Sequence, residues 1–181
     1  MLELKQAKVI SELGNKIQIH GLRIKEGHSV GIIGKVASGK SGILYSLLGF
    51  GDLIEGEITC FGKSVFHEKK FAREQMALVP MNDGLMANLS VYNNLALVLR
   101  YRGREEAEIH QAVLEISQTL GISKHLEKLP FSLTPELKKR VSLARALILK
   151  PKFLLLDSPT HSVGYIAVSY THLTLPTKRI V

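Results

Sequence analysis

The residues best placed to do chemistry form one short run, Gly34-Lys35-Val36-Ala37-Ser38-Gly39-Lys40-Ser41, which fits the phosphate-loop pattern G-x-x-x-x-G-K-[ST]. The spacing predicts a loop whose successive N–H groups converge on phosphate oxygens, because glycines let the backbone curl and the following helix turns its positive end toward them. Lys40 would add a point charge for terminal phosphates, and the Ser41 hydroxyl is a hard oxygen ligand suited to Mg²⁺. The candidate nucleotide-binding set is therefore Gly34, Lys35, Val36, Ala37, Ser38, Gly39, Lys40, Ser41 and Gly42. A second candidate is Asp157, which closes the apolar run Phe153-Leu154-Leu155-Leu156. The carboxyl end of a buried strand is where α/β sheets bind ligands, and beside a phosphate loop that carboxylate is the expected Mg²⁺ partner of Ser41. Each feature also has a plainer reading, a Gly/Ser surface turn and an aspartate that merely ends a strand, and the flanks decide between them.

Those flanks have the required order. Val30-Gly31-Ile32-Ile33 reads as a short buried strand ending at the loop, and Ile43-Leu44-Tyr45-Ser46-Leu47-Leu48 continues as a helix. Upstream, Leu2-Glu3-Leu4-Lys5 and Ile17-Gln18-Ile19 alternate as strands do, with turns at Gly14-Asn15 and Lys25-Glu26-Gly27. Another strand is expected at Glu57-Ile58-Thr59-Cys60-Phe61, bounded by Gly56 and Gly62, and a buried one at Met76-Ala77-Leu78-Val79, stopped by Pro80. From Ser90 the period turns helical, first Val91 to Tyr101 and then Glu105 to Leu120. A further helix should begin at Thr134-Pro135-Glu136, since Thr caps well, Pro suits the first helical position and Glu suits the positive dipole end. The fold class is α/β: a mixed sheet core of phosphate-loop type, with a helical insert over about residues 84–135.

With 181 residues, 45% of them apolar, the chain can build one such domain with a proper core. The single Cys60 permits no internal disulfide, and the N-terminus lacks the apolar stretch of a secretion signal, so a reducing, cytoplasmic compartment is expected. No apolar run approaches the ~20 residues of a spanning helix, so any membrane role must come through a partner. The formal charge of +8 could suggest nucleic acid, but the basic residues are dispersed and lack interleaved aromatics, so no nucleic-acid partner is expected. The histidines lack metal-ligand spacing, and the acidic cluster Glu105-Glu106-Glu108 suits a solvated first helical turn.

Residues 2 to about 160 resemble the nucleotide-binding subunit of an ATP-binding-cassette (ABC) transporter. The resemblance is carried by the phosphate loop, by Ala77-Leu78-Val79-Pro80 with Asn88-Leu89-Ser90-Val91-Tyr92-Asn93-Asn94-Leu95 around the family's Q-loop, by Lys139-Arg140-Val141-Ser142-Leu143-Ala144-Arg145-Ala146-Leu147 as the signature helix, and by Phe153 to Thr160 as the Walker B strand and turn. The long helical interval between Lys40 and Asp157 suits this family better than a small nucleotide kinase. The resemblance implies ATP and Mg²⁺ as cofactors and a second nucleotide-binding subunit as partner, with ATP sandwiched between one subunit's loop and the other's signature helix. It also implies a membrane permease docked near the Q-loop, which would hold the chain at the inner face of a membrane. The segment from 84 to 95 is similar to importer-like and lipid-trafficking cassettes of bacteria.

Several positions depart from the family pattern. Met81 stands where the Q-loop glutamine belongs, and Ser158 where the catalytic glutamate follows the Walker B aspartate, so no catalytic residue is assigned. The signature becomes Leu133-Thr134-Pro135-Glu136-Leu137, the adenine-stacking aromatic Leu13, the D-loop aspartate Gly164, and the threonine after the loop serine Gly42. A Glu136 carboxylate ~4 Å from a γ-phosphate would be repelled by about 4 kcal/mol at an effective dielectric near 20. Together these imply a subunit that binds nucleotide in its own loop but offers a weak or dead half-site to its partner. A catalytically silent regulatory or structural subunit is an alternative, and a non-transport cassette ATPase another. The stretch Val168-Ser169-Tyr170-Thr171-His172-Leu173-Thr174-Leu175-Pro176-Thr177 resembles translated sequencing adaptor, so residues 1–167 are expected to be a partial nucleotide-binding domain and 168–181 a non-native tail.

Overall fold

The computed structural model describes residues 1–11, 14–35 and 37–159. They fall into two compact units, Met1–Met76 and the described residues from Ala77 onward. Leu13, Val36, Gly164 and the whole of 168–181 lie outside the described residues, and with them the readings placed there.

In the first unit, β1 (Leu2–Ile10), β2 (Lys16–Ile24), β3 (Asp52–Cys60) and β4 (Lys63–Ser64) form an antiparallel sheet ordered β2-β1-β3-β4. Strand β1 turns Leu2, Leu4, Ala7 and Val9 inward, but the alternation read in the sequence is broken at Glu3, which is buried too, and at the shift between Lys5 and Lys8. Gly56 does not bound β3 as the sequence suggested; it lies inside the strand at φ 76°, facing a register shift in β1 where Gln6 adopts φ 45°. A side chain there would collide with the Gln6 and Lys5 carbonyl oxygens, so the glycine is a bulge that lets the two backbones close. Helix α1 (Lys40–Leu47) buries Leu47 and is followed by Leu48, whose carbonyl accepts from Arg73 Nε at 3.0 Å. Arg73 belongs to α2 (Lys69–Gln75), a helix that the sequence reading did not anticipate.

The expected strand at Val30–Ile33 is not formed. Ile33 is 98% exposed, and no strand of its unit pairs with this segment. Its apolar character had suggested burial on both faces, but a strand of that kind exists only where neighbours flank both edges. Composition could not supply those neighbours.

The second unit pairs β5 (Met76–Val79) with β6 (Phe153–Leu156) and packs α3 (Val91–Tyr101), α4 (Glu106–Thr119) and α5 (Pro135–Leu147). These helices begin within a residue or so of the positions their periodicity indicated. Val91, Leu95, Ile109, Val113, Val141 and Ala144 form a shared apolar core, while Leu143 and Ala146 of α5 pack with Ala77 and Val79 of β5. Helix α5 thus buries two stripes. Its start is as read: Thr134 Oγ1 accepts from Leu137 N at 3.3 Å and Pro135 occupies the first turn. Among the described residues no helix is long and apolar enough to cross a membrane.

Two outcomes are expected from this packing. Gly56→Ala should lower stability by at least ~1 kcal/mol in a denaturant titration, since it adds both left-handed strain and a backbone clash. The second concerns Glu3, which accepts from Arg23 Nε at 2.8 Å and lies 3.3 Å from Lys5 Nζ. The Arg23 hydrogen bond, helped by Lys5, holds the Glu3 carboxyl below its usual range. A depressed carboxylate contributes stability above its unfolded-state value and loses it as pH falls through the folded one. Wild type should therefore exceed Glu3→Gln in stability at neutral pH, and the gap should close on acidification below the ordinary carboxylate range.

Candidate functional site

The loop before α1 is built from backbone, as its sequence requires. Gly39 precedes the helix at φ 88° and Ala37 sits at φ 61°, so the chain turns through left-handed conformations into the first turn. The first turn carries no acidic residue and no side chain caps it, which leaves its amide end open to an anion. A Cβ on Gly34 would lie 2.8 Å from Ser38 Oγ, so a larger residue there would displace the Ser38 hydroxyl. Lys40 folds back across this cradle, donating from Nζ to the Gly34 carbonyl at 2.9 Å, the Lys35 carbonyl at 2.6 Å and Ser38 Oγ at 3.3 Å. Its charge is thus held over the loop by acceptors of the loop itself.

Gly42 has a local reason. Its Cβ would lie 2.5 Å from Ile17 Cδ1 and 3.3 Å from Ser11 Cβ, and Gly39 meets the same isoleucine at 3.2 Å. Ile17 is buried on β2 and presses on the start of α1, occupying the space a threonine at position 42 would need.

In the second unit Asp157 follows β6 and is 5% exposed, its backbone N–H donating to the Val79 carbonyl of β5 at 2.9 Å. Ser158 adopts φ 48° and directs Oγ toward Asp157 Oδ1 at 3.4 Å. A buried carboxylate and a serine hydroxyl are hard oxygen donors, and Mg²⁺ is commonly held by one or two such side chains together with substrate phosphates. The residues present therefore fit nucleotide and Mg²⁺ by donor chemistry.

Met81 is exposed, and its carbonyl accepts from Lys139 Nζ at 3.1 Å. Glu136, read in the sequence as a bare carboxylate, is paired with Arg140 at 2.6 Å, and both are about half exposed. The unit-charge repulsion imagined for it is thereby reduced by its own helix and by solvent. Sequence reasoning missed Lys139, Ser142 and Arg145 as a set. Their spacing of three along a helix that also carries Val141, Leu143 and Ala144 was the signal available.

This fold is that of phosphate-loop NTPases of the ABC type. The family described as ABC transporter matches residues 17–161, and the chain belongs to it. It is 32% identical over 181 residues to the sn-glycerol-3-phosphate import ATP-binding protein UgpC of Vibrio vulnificus (strain YJ016), covering 99% of this chain and 48% of that protein. It is also 32% identical over 163 residues to the methionine import ATP-binding protein MetN of Clostridioides difficile (strain 630), covering 86% of this chain and 51% of that one. The chain spans about half the length of these curated relatives. Among solved structures it resembles the ATP-binding cassette MJ0796, a dimer in a post-hydrolysis state bound to ADP and Pi (TM-score 0.77, 27% identity, 90% of this chain and 75% of that one). It also resembles cbiO1 of Clostridium perfringens, part of the ABC transporter complex cbiONQ (TM-score 0.73, 25% identity, 88% of this chain and 66% of that one).

Restoring the family residue at the helix start should overfill the site. Gly42→Thr is expected to destabilise by about 1–3 kcal/mol in chemical denaturation, and a shortened neighbour, Ile17→Ala, in the same chain should make that substitution cheaper than it is alone.

Proposed function

We propose that this chain is an ATP-binding subunit that couples nucleotide binding to transport by a membrane permease, acting with a second nucleotide-binding subunit, identical or different. The observation that carries the reading is the cradle before α1: a lysine ammonium held over a glycine loop at a helix start that no side chain caps. Residues 34–42 would bind the phosphates, with Lys40 the cation nearest the terminal ones, and Ser41 and Asp157 are each, by donor type, a candidate Mg²⁺ ligand on its own unit. The ion would screen phosphate charge. Relatives named as import ATP-binding proteins support transport as the setting, and a permease partner would place the chain at the cytoplasmic face of a membrane.

Within that role we read the chain as weak in hydrolysis. Ser158 stands beside Asp157 where the family pattern puts a glutamate, and a serine hydroxyl is a poor base near neutral pH. Met81 offers neither a ligand nor a water-orienting amide, and the α5 start presents Pro135 and Glu136 instead of the signature's two glycines. A silent regulatory subunit is the second reading, favoured by the same three features.

Calorimetric titration with Mg-ATP should show binding to the wild type and at least a tenfold loss of affinity, about 1.4 kcal/mol, in Lys40→Ala. Unchanged binding by that variant would remove the loop from the site. Steady-state turnover should stay below the ~1 s⁻¹ at the low end of ordinary enzymes. Ordinary turnover by the wild type would instead overturn the weak half-site while leaving the binding role intact.

A further inference from the structure

After β5 the chain takes an unusual path. Asp83 and Gly84 both lie in left-handed conformations, at φ 64° and φ 60°. Gly84 is tightly enclosed: a Cβ there would stand 3.0 Å from Pro80 Cγ and 3.1 Å from an Arg145 nitrogen, so its neighbours would have to give way slightly. A non-glycine residue held in that region persists only where its surroundings over-determine it. Here the surroundings are three residues of one α5 face.

Lys139 Nζ donates to the carbonyls of Pro80 at 3.3 Å and Met81 at 3.1 Å, and approaches Asp83 Oδ1 at 2.7 Å. Ser142 Oγ donates to the Asp83 carbonyl at 2.7 Å, and Arg145 donates to the Asp83 and Gly84 carbonyls at 3.1 and 2.7 Å. The Lys139 and Asp83 side chains are 8% and 19% exposed, so the charges meet largely out of water. Asp83 Oδ1 accepts no well-aligned hydrogen bond, so the contact with Lys139 is chiefly one of charge. Arg145 is also substantially desolvated: burial pulls its pKa down, and the Asp83 charge opposes that pull.

We propose that the Lys139–Asp83 ion pair is a lock: it holds the 80–84 connection in its strained conformation against α5, and breaking it is the step that frees that connection to rearrange. If the connection lifted off alone, Lys139 would be left a buried ammonium without its carboxylate and both its carbonyls, a state that burial penalises strongly. The pair therefore gives the connection two states, closed on α5 or released with Lys139 turned to water, and little between. The exposed Met81 side chain rides on the locked segment, so its position is set by the pair. The inference rests on geometry inside the second unit and does not depend on the proposed nucleotide role.

Hydrogen exchange of the whole chain, read by mass spectrometry on a peptide spanning 80–86 and on a control peptide from α4, tests it. Lys139→Met should speed exchange in 80–86 by at least about tenfold while α4 keeps its protection. The single substitution strands Asp83 and can also lower global stability. The decisive chain is therefore Lys139→Met with Asp83→Asn, in which neither member of the pair is left charged and Arg145 keeps its carbonyl acceptors while losing the nearby Asp83 charge. There the melting temperature should return toward wild type while 80–86 remains fast. Wild-type protection of 80–86 in that double variant would overturn the lock by showing that Ser142 and Arg145 suffice. Equal acceleration in 80–86 and α4 would overturn it by showing general loosening instead.

Discussion

A helix buried on more than one side must find a partner for every charge it carries inward, and α5 is under that constraint. Val141 and Ala144 face the core shared with α3 and α4, while Leu143 and Ala146 face β5. What remains between those stripes is the line Lys139, Ser142, Arg145, and the 80–84 connection is shaped to supply its acceptors. Leaving a buried donor unpaired costs about 1–3 kcal/mol, and more for a charged one, so the connection's path is dictated by the helix. Asn94 works the same way at the next bend. Fully buried, it accepts from Met86 N and donates to the carbonyls of Met86, Leu89 and Ser90, so that the run into α3 folds around one amide side chain.

The first unit solves a different problem, that of making a backbone cradle rigid without side chains to brace it. Gly39 turns at φ 88°, where a side chain is strained, and both it and Gly42 lie against Ile17 of β2 at the start of α1. Lys40 then ties the loop's own carbonyls together. A lysine so held donates to carbonyls that a phosphate could replace as acceptor, which suits a residue that must be in place before its ligand.

Legibility in the sequence follows the range of the forces involved. Thr134-Pro135 announces a helix start through a contact three residues away, and the structure puts that cap there; Ser90, where the period turns helical, caps α3 in the same way. The phosphate loop is equally local, its pattern being a list of backbone requirements. Gly56 misled because a glycine inside a strand and a glycine ending one look alike until the opposing Gln6 is known. Val30 to Ile33 misled for a longer-range reason, since an apolar run becomes a strand only when edges are offered to it. Helix α2 is short, and it is tied by Arg73 to the Leu48 carbonyl and to the face of Phe50, neither of which its own sequence contains.

The departures from the family pattern are of two kinds, and only one bears on chemistry. Gly42 is accounted for by Ile17, which absorbs it within the chain, whereas Glu136 keeps a carboxylate, paired with Arg140, where the signature has a glycine. Ser158 bears on chemistry more directly. It holds a left-handed conformation, and its hydroxyl points at the carboxylate of Asp157, the residue best suited to a metal. An alcohol needs its basicity raised by many units before it can take a proton from water, which a serine in place of a glutamate does not supply. On the proposed reading, the features that bind are set by backbone and packing and are intact, whereas proton transfer depends on single side chains that this sequence has exchanged. A subunit built this way would respond to nucleotide by occupancy more than by turnover.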